Sequence, residues 1–223
     1  MDAAGLLLIR GMGGKAEVLM GRRNRASRFM PGVYVFPGGR VERADARPSG
    51  FTETMISPPE GTDNATRRHL TLFARAALRE TFEETGLLVA ERPGSGPAGI
   101  DSAAAGPAEV WRAFRHAGRA PAFSALALVA RAVTPTRSPI RFHTRFFRAD
   151  GQAAYGNLVG DGELEDLRWV PVEEAGLLPI AEVTALVLRE ALAHGSTESG
   201  TTRPAALFRW VGARERPRHA LGP

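Results

Sequence analysis

The sequence contains no cysteine. That removes disulfides, thiolate zinc sites, iron–sulfur clusters and cysteine nucleophiles together. It contains one lysine, Lys15, so almost every positive charge is an arginine. No apolar run reaches the roughly 18 residues of a membrane-spanning helix, and no membrane partner is expected. The opening Met1-Asp2-Ala3-Ala4-Gly5 lacks the charged-then-apolar order of a secretory leader, so a cytoplasmic location is expected. What is present is ordinary for a folded chain. Its 223 residues are 43% hydrophobic and 24% charged, which suits one domain with appendages.

Lys plus Arg number 29 against 24 acids, a net charge of +5, and the sequence pI is near 10.7. Such a pI can mark a nucleic-acid binder. The arginines are spread along the chain, which favours a solvated basic surface. A local cluster of Arg22, Arg23, Arg25 and Arg28 leaves a phosphate-facing role open.

Residues 4–10 and 17–21 read as two strands around a glycine turn at 11–14. Residues 33–36 form a short apolar strand stopped by Pro37-Gly38-Gly39. Residues 44 to about 63 carry three prolines and two glycines and read as a long loop, which in a compact domain marks function or an insertion. Asp63 or Asn64 can cap a helix that runs to about Thr85 and is closed by Gly86. Further strands are expected at 87–90, 126–133, 140–148 and 164–170, and helices at 107–116 and 180–194. Residues 93–107 read as a flexible connector. The tail after Gly195 is polar, Arg- and Pro-rich, and expected to be poorly ordered at its end. Strands and helices are interleaved, so an α/β or α+β fold is expected.

The stretch richest in chemistry is Arg79-Glu80-Thr81-Phe82-Glu83-Glu84-Thr85-Gly86. Glu80, Glu83 and Glu84 stand at i, i+3 and i+4, so a helix puts them on one face. Leu78 and Phe82 fall roughly opposite and can anchor the helix in a core. Like charges at this spacing each destabilise a bare helix by about 0.2–0.5 kcal/mol. A cation, or a neighbour such as Arg79, is needed to neutralise them. Hard carboxylate oxygens suit Mg²⁺ or Mn²⁺ over a soft metal. An isolated Glu-x-x-Glu-Glu would read as a solvated acidic face. The full order Arg-Glu-x-x-Glu-Glu-x-Gly arises by chance in roughly one chain per thousand of this length and composition. Phe36-Pro37-Gly38-Gly39 precedes it, a turn whose glycines let backbone groups approach a metal or a diphosphate.

These residues resemble the box of the Nudix hydrolase family: Gly, five residues, Glu, seven residues, then Arg-Glu-apolar-x-Glu-Glu-x-Gly-apolar. Gly39 matches the first position, and Arg79-Glu80, Glu83-Glu84, Gly86 and Leu87 match the second half. Asp45 stands where the box has Glu, and Thr81 at an apolar position. Between Asp45 and Arg79 lie 33 residues where the family has seven. The sequence therefore resembles a Nudix box split by an insertion at about 46–69.

An upstream signature resembles the coenzyme A diphosphatase branch of that family. Leu19-Met20-Gly21-Arg22-Arg23-Asn24 leads, with Arg28, Gly32 and Phe36-Pro37-Gly38-Gly39 in register. Gly21 for Thr and Asn24 for Ser or Ala are departures. Phe29-Met30-Pro31-Gly32 and Thr144-Arg145-Phe146-Phe147 are similar to the peroxisomal members of the branch. The terminal Ala220-Leu221-Gly222-Pro223 is not a peroxisomal address.

The resemblance implies a Nudix-like α/β/α sandwich with a mixed β-sheet between helices. The domain would occupy residues 1–195, with 196–223 as a C-terminal extension. It implies Mg²⁺ or Mn²⁺ held by Glu80, Glu83, Glu84 and the Gly38 carbonyl. Glu80 would hold metal or help to position the attacking water. Glu80, Glu83 and Glu163 would be catalytic, with Glu165 second to Glu163 as the distal carboxylate. Arg23, Arg28 and Gly39 would bind substrate. Arg79, Glu42 and Asp45 would be structural in the site, Arg79 orienting carboxylates that include Glu42. His143 could serve as a base, but a lone His on an apolar strand is more often structural.

The activity implied is cleavage of the diphosphate linkage in a small-molecule nucleoside diphosphate derivative, with coenzyme A or an acyl-coenzyme A preferred. ADP-ribose, a nucleotide sugar or a dinucleotide are alternatives, because specificity lies in loops, here expected at 44–69 and 91–120. A non-catalytic nucleic-acid-binding module is the alternative of another class. It is disfavoured because it has no need of three crowded glutamates. A homodimer is left open.

Overall fold

The computed structural model describes residues 1–27, 29–47, 49–51, 63–91, 109–134, 141–195 and 205–209. In chain order the strands and helices are β1 (Asp2–Arg10), β2 (Glu17–Arg23), β3 (Tyr34–Val35), β4 (Gly38–Arg40), α1 (Asn64–Thr85), β5 (Leu88–Val89), α2 (Glu109–His116), β6 (Ala127–Val133), β7 (His143–Asp150), β8 (Ala154–Tyr155), β9 (Leu164–Pro171), α3 (Val172–Ala175), α4 (Glu182–Gly195) and β10 (Ala206–Arg209).

β1 is apolar almost throughout, and the packing explains why. Ala4, Leu6 and Leu8 enter one core with Phe73, Ala74 and Ala77 of α1 and Trp111 and Phe114 of α2. Leu7 and Ile9 enter a second core on the other face with Val187, Leu188 and Ala191 of α4. A strand covered on both faces loses the alternation of a half-exposed one. The architecture is thus a mixed sheet between helices, the sandwich that the sequence predicts.

The sheet runs β10-β6-β7-β1-β2-β3, with β4 also on β1 and β9 on β2. β7 lies parallel to β1 from Asp2↔His143 to Ile9↔Asp150. β2 pairs with β1 only at Ile9↔Val18 and Arg10↔Glu17. Beyond that point the edge of β1 is taken by β4, through Ala3↔Arg40, Ala4↔Gly39 and Gly5↔Gly38. β2 continues along β9. This handover places the Pro-Gly-Gly turn under α1.

α1 begins at Asp63, whose Oδ1 accepts the Thr66 N–H at 2.6 Å, an N-cap that satisfies one free donor of the first turn. It ends at Gly86 in the left-handed region (φ 72°), a conformation favoured for glycine at a helix end. Both boundaries are where the sequence puts them. β4, β8 and β10 are not in the sequence reading. β4 is glycine-rich and exists only through its pairing with β1. β10 pairs parallel to β6 and buries Phe208 completely. The sheet therefore draws on the stretch expected to be only an extension. The expected connector at 93–107 lies outside the described residues, as do 52–62 of the insertion. Among the described residues no helix is long and apolar enough to cross a membrane.

Candidate active site

The second half of the motif lies on the last two turns of α1, and the Gly38-Gly39 strand lies beneath it. Arg79 is the hub. It is 4% exposed and Asp45 is 2% exposed. Its Nε donates to Asp45 Oδ1 at 2.9 Å and its Nη2 to Asp45 Oδ2 at 3.0 Å. Its Nη1 donates to Glu80 at 3.0 Å and to Glu83 at 2.7 Å. Its Nη2 also donates to the Arg40 carbonyl at 2.9 Å. All five N–H donors are used, in the planar fork that suits guanidinium and not ammonium. Burial lowers its pKa, but the Asp45 bond and the charges of Glu80, Asp45 and Glu83 outweigh that and hold it raised.

Asp45 sits in a 3₁₀ turn, Arg43–Ala46, fixed by the Glu42 N–H donating to Asp45 Oδ2 at 2.8 Å and by Arg75 donating to the Asp45 carbonyl at 3.0 Å. Here the structure corrects the expected pairing. The partners of Arg79 are Asp45, Glu80, Glu83 and the Arg40 carbonyl, not the Glu42 carboxylate, and Glu42 is exposed. Asp45, on this turn, reaches the guanidinium directly.

Glu80 lies against Gly39. A Cβ on Gly39 would fall 2.4 Å from Glu80 Oε2, so only glycine leaves the carboxylate its place. Glu84 is 4% exposed and accepts the Gly38 N–H at 2.7 Å. Gly38 approaches β1 so closely that a Cβ there would lie 2.4 Å from the Ala4 carbonyl oxygen. Burial pushes the Glu80 carboxyl up to about 7, against the opposing pull of Arg79. Burial pushes Glu84 up to about 8, against the Gly38 N–H and helped by the charges of Glu80 and Glu163. Glu83, more exposed, is raised by burial, with Arg79 opposing.

Thr81, the other departure from the box, is fully buried. Its hydroxyl donates to the Ala77 carbonyl at 2.7 Å, so its polar atom is satisfied in a site that otherwise takes an apolar side chain. Gly21 and Asn24 are explained in the same way. A Cβ on Gly21 would lie 2.8 Å from Leu164 Cβ, at a bulge in β2. The Asn24 N–H donates to the Glu163 carbonyl at 3.1 Å and its Nδ2 to the Gly162 carbonyl at 3.2 Å.

That tie brings Glu163 to the site. Glu163 is exposed, and its charge acts on Glu84. Glu165 instead pairs with Arg22 at 3.0 Å. Arg23 is half-buried, its charge favours ionised Glu84, and its Nε is buried without a hydrogen-bond partner. Arg28 lies outside the described residues. His143 is on β7 beside Asp2 and Arg131, and no glutamate is among the charges that shift it.

The donor set of Glu80, Glu83 and Glu84 is all hard oxygen, and the charges of buried Glu84 and half-buried Glu80 oppose each other. A divalent ion fits such a set in chemistry. Among the described residues no three His, Asp or Glu side chains are already gathered closely enough to hold a metal ion. Arg79 occupies the facing oxygens of Glu80 and Glu83.

No family model matches the chain. The acyl-coenzyme A diphosphatase NUDT19 of Gallus gallus is 34% identical over 134 residues, which are 44% of this chain and 35% of that protein. The chain thus spans about a third of the length of that curated relative. The crystal structure of a Nudix hydrolase from Alicyclobacillus acidocaldarius is 32% identical, with a TM-score of 0.65, and the match covers 86% of this chain and 90% of that one. With that identity spread over nearly the whole length of both chains, and the box folded as described, the chain belongs to the Nudix hydrolase family.

Proposed function

We propose that the chain is a divalent-metal-dependent diphosphatase that cleaves a nucleoside diphosphate derivative, with coenzyme A or an acyl-coenzyme A as substrate. The observation that carries this is the meeting of buried Glu84 and half-buried Glu80 with the Gly38-Gly39 backbone beside Glu83. The partial identity to an acyl-coenzyme A diphosphatase supports the substrate class.

In this reading Glu80, Glu83, Glu84 and the Gly38 carbonyl hold Mg²⁺ or Mn²⁺. Bound there, the ion would offset the charge of the diphosphate and lower the pKa of water. Arg79 positions the carboxylates and does not touch substrate. Cation binding competes with Arg79 for Glu80 and Glu83. Glu163, exposed beside Glu84, takes the proton of the attacking water. Arg23 is the described arginine that would meet the substrate phosphates, Arg28 is assigned to substrate on the resemblance alone, and Gly39 keeps the floor of the site open.

The test is a substrate panel of coenzyme A, acyl-coenzyme A, ADP-ribose and NADH, each with Mg²⁺ and with Mn²⁺. Metal-dependent release of 3′,5′-ADP and 4′-phosphopantetheine from coenzyme A is expected. Glu83→Gln combined with Glu84→Gln should abolish turnover and leave the circular dichroism spectrum unchanged. Folded, metal-loaded protein that hydrolyses no diphosphate at all would overturn the reading.

A further inference from the structure

The two most buried arginines of the described chain are Arg79 and Arg145, 4% and 6% exposed, and they are opposites. Every donor of Arg79 has an acceptor. Among the described residues the Arg145 side chain has no hydrogen-bond or ion-pair partner. Its Nη1 is sealed from solvent without a partner, and its guanidinium carbon lies 3.8 Å from the centroid of the Phe73 ring. An aromatic face attracts a cation but accepts none of its in-plane N–H bonds. A buried guanidinium left in this state calls for an explanation.

Its surroundings deepen the deficit of acceptors. Arg131 is the register neighbour of Arg145 across β6 and β7, so both point to the same sheet face. The Nε of Arg131 is also buried without a partner, and its Nη2 lies 3.1 Å from His143 Nε2. His69 packs edge-on against Phe73, centroids 5.0 Å apart. Among the described residues the acid acting on Arg145 is Asp2, 3.8 Å from His143 Nδ1 and half-exposed. Burial and the charge of Arg131 push the Arg145 guanidinium down to about 10. Burial and the charges of Arg145 and Arg131 hold both histidines below their ordinary pKa. Positive charge is in excess, and beside it His69 and Asp2 are exposed and His143 is half-buried.

We propose that Arg145 and Arg131, with His69 and His143 at the rim, form a second oxyanion site that takes a phosphate group. Two guanidiniums side by side can share the oxygens of one phosphate. The site is separate from the glutamate cluster and stands without the diphosphatase reading. Arg145 is two strands from Gly39 along one row of the sheet, Gly39↔Ala4↔Arg145, or about 10 Å at the usual strand spacing. Phe73 precedes Glu80 by seven residues, about 10 Å along a helix. The phosphate can be inorganic phosphate or a phosphomonoester carried by a ligand whose diphosphate lies at the glutamates.

Inorganic phosphate is titrated into the metal-free protein, in chelator and at constant ionic strength, by calorimetry and by thermal unfolding. Saturable one-to-one binding is expected, with a rise in the unfolding midpoint. Arg145→Gln and Arg131→Gln should each weaken it at least tenfold. Arg131→Gln, at a half-buried position, decides the matter if Arg145→Gln does not fold. A second arm compares coenzyme A with 3′-dephospho-coenzyme A in the Arg131→Gln enzyme. A tenfold rise in KM for coenzyme A alone, with kcat unchanged, assigns the phosphate to the substrate. Unchanged KM for both, with phosphate binding lost, assigns the site to free phosphate. Absence of saturable binding to the unmutated protein, or binding unaltered in both variants, overturns the proposal.

Discussion

At Gly39 a single hydrogen atom leaves room for the Glu80 carboxylate, whose Oε2 would lie 2.4 Å from any Cβ. Gly39→Ala should therefore expel Glu80 and lower turnover at least tenfold, while urea unfolding shifts by about 1 kcal/mol or less. Arg79 and Asp45 depend on each other in a different way. Asp45→Ala leaves a buried guanidinium short of its two best acceptors, and breaking a buried pair costs about 3–5 kcal/mol. That loss is expected in urea unfolding, together with loss of activity. Arg79→Lys should do little better, because an ammonium cannot fork to Asp45 and still reach Glu80, Glu83 and the Arg40 carbonyl. Helical periodicity puts Glu80, Glu83 and Glu84 on one face in the sequence, and the orienting role of Arg79 came from the resemblance of the whole motif. The Arg79–Asp45 contact was not legible there, since 33 residues intervene and spacing along a chain says nothing of contact across it. Arg145 left a fainter trace. It shares strand parity with Phe147 and Ala149, both buried, so a charged residue stood on a core-facing row.

Among the elements, α1 and β1 were readable because each carries its own evidence: cap, period and stop for the helix, and an unbroken apolar run for the strand. β4 carries none. Gly38-Gly39-Arg40 becomes a strand only because β2 turns away from β1 and leaves an edge to fill. β10 is four residues in a polar tail, too short for a period. Its packing nonetheless makes it part of the body. Phe208 is fully buried against the α4 side of the sheet, and Phe208→Ala should cost about 3–5 kcal/mol, read as a lowered urea midpoint with the active-site chemistry intact.

For the molecule as a whole, the motif glutamates link stability to pH and to metal. The Glu80 and Glu84 carboxyls sit at about 7 and about 8 in the folded protein against an ordinary 4.5. The folded state thus retains protons that the unfolded chain releases above pH 4.5. Their contribution to stability is fully present below that value and is lost as pH rises through 7 and 8. Urea midpoints of the metal-free protein should fall over that window, and Glu84→Gln should flatten the fall. A divalent ion binds the deprotonated carboxylates, so Mn²⁺ should raise the midpoint most at the alkaline end. An unchanged midpoint with Mn²⁺ at pH 8 would count against metal binding at the glutamates.

The Arg79–Asp45 fork also works as a clasp between two stretches of chain that a long intervening segment keeps apart. Once the clasp is shut, the length of that segment matters little to the chemistry, since each doubling of a flexible loop costs only about 0.6 kcal/mol. A longer sequence between Asp45 and Arg79 should therefore leave the fork shut and turnover little changed.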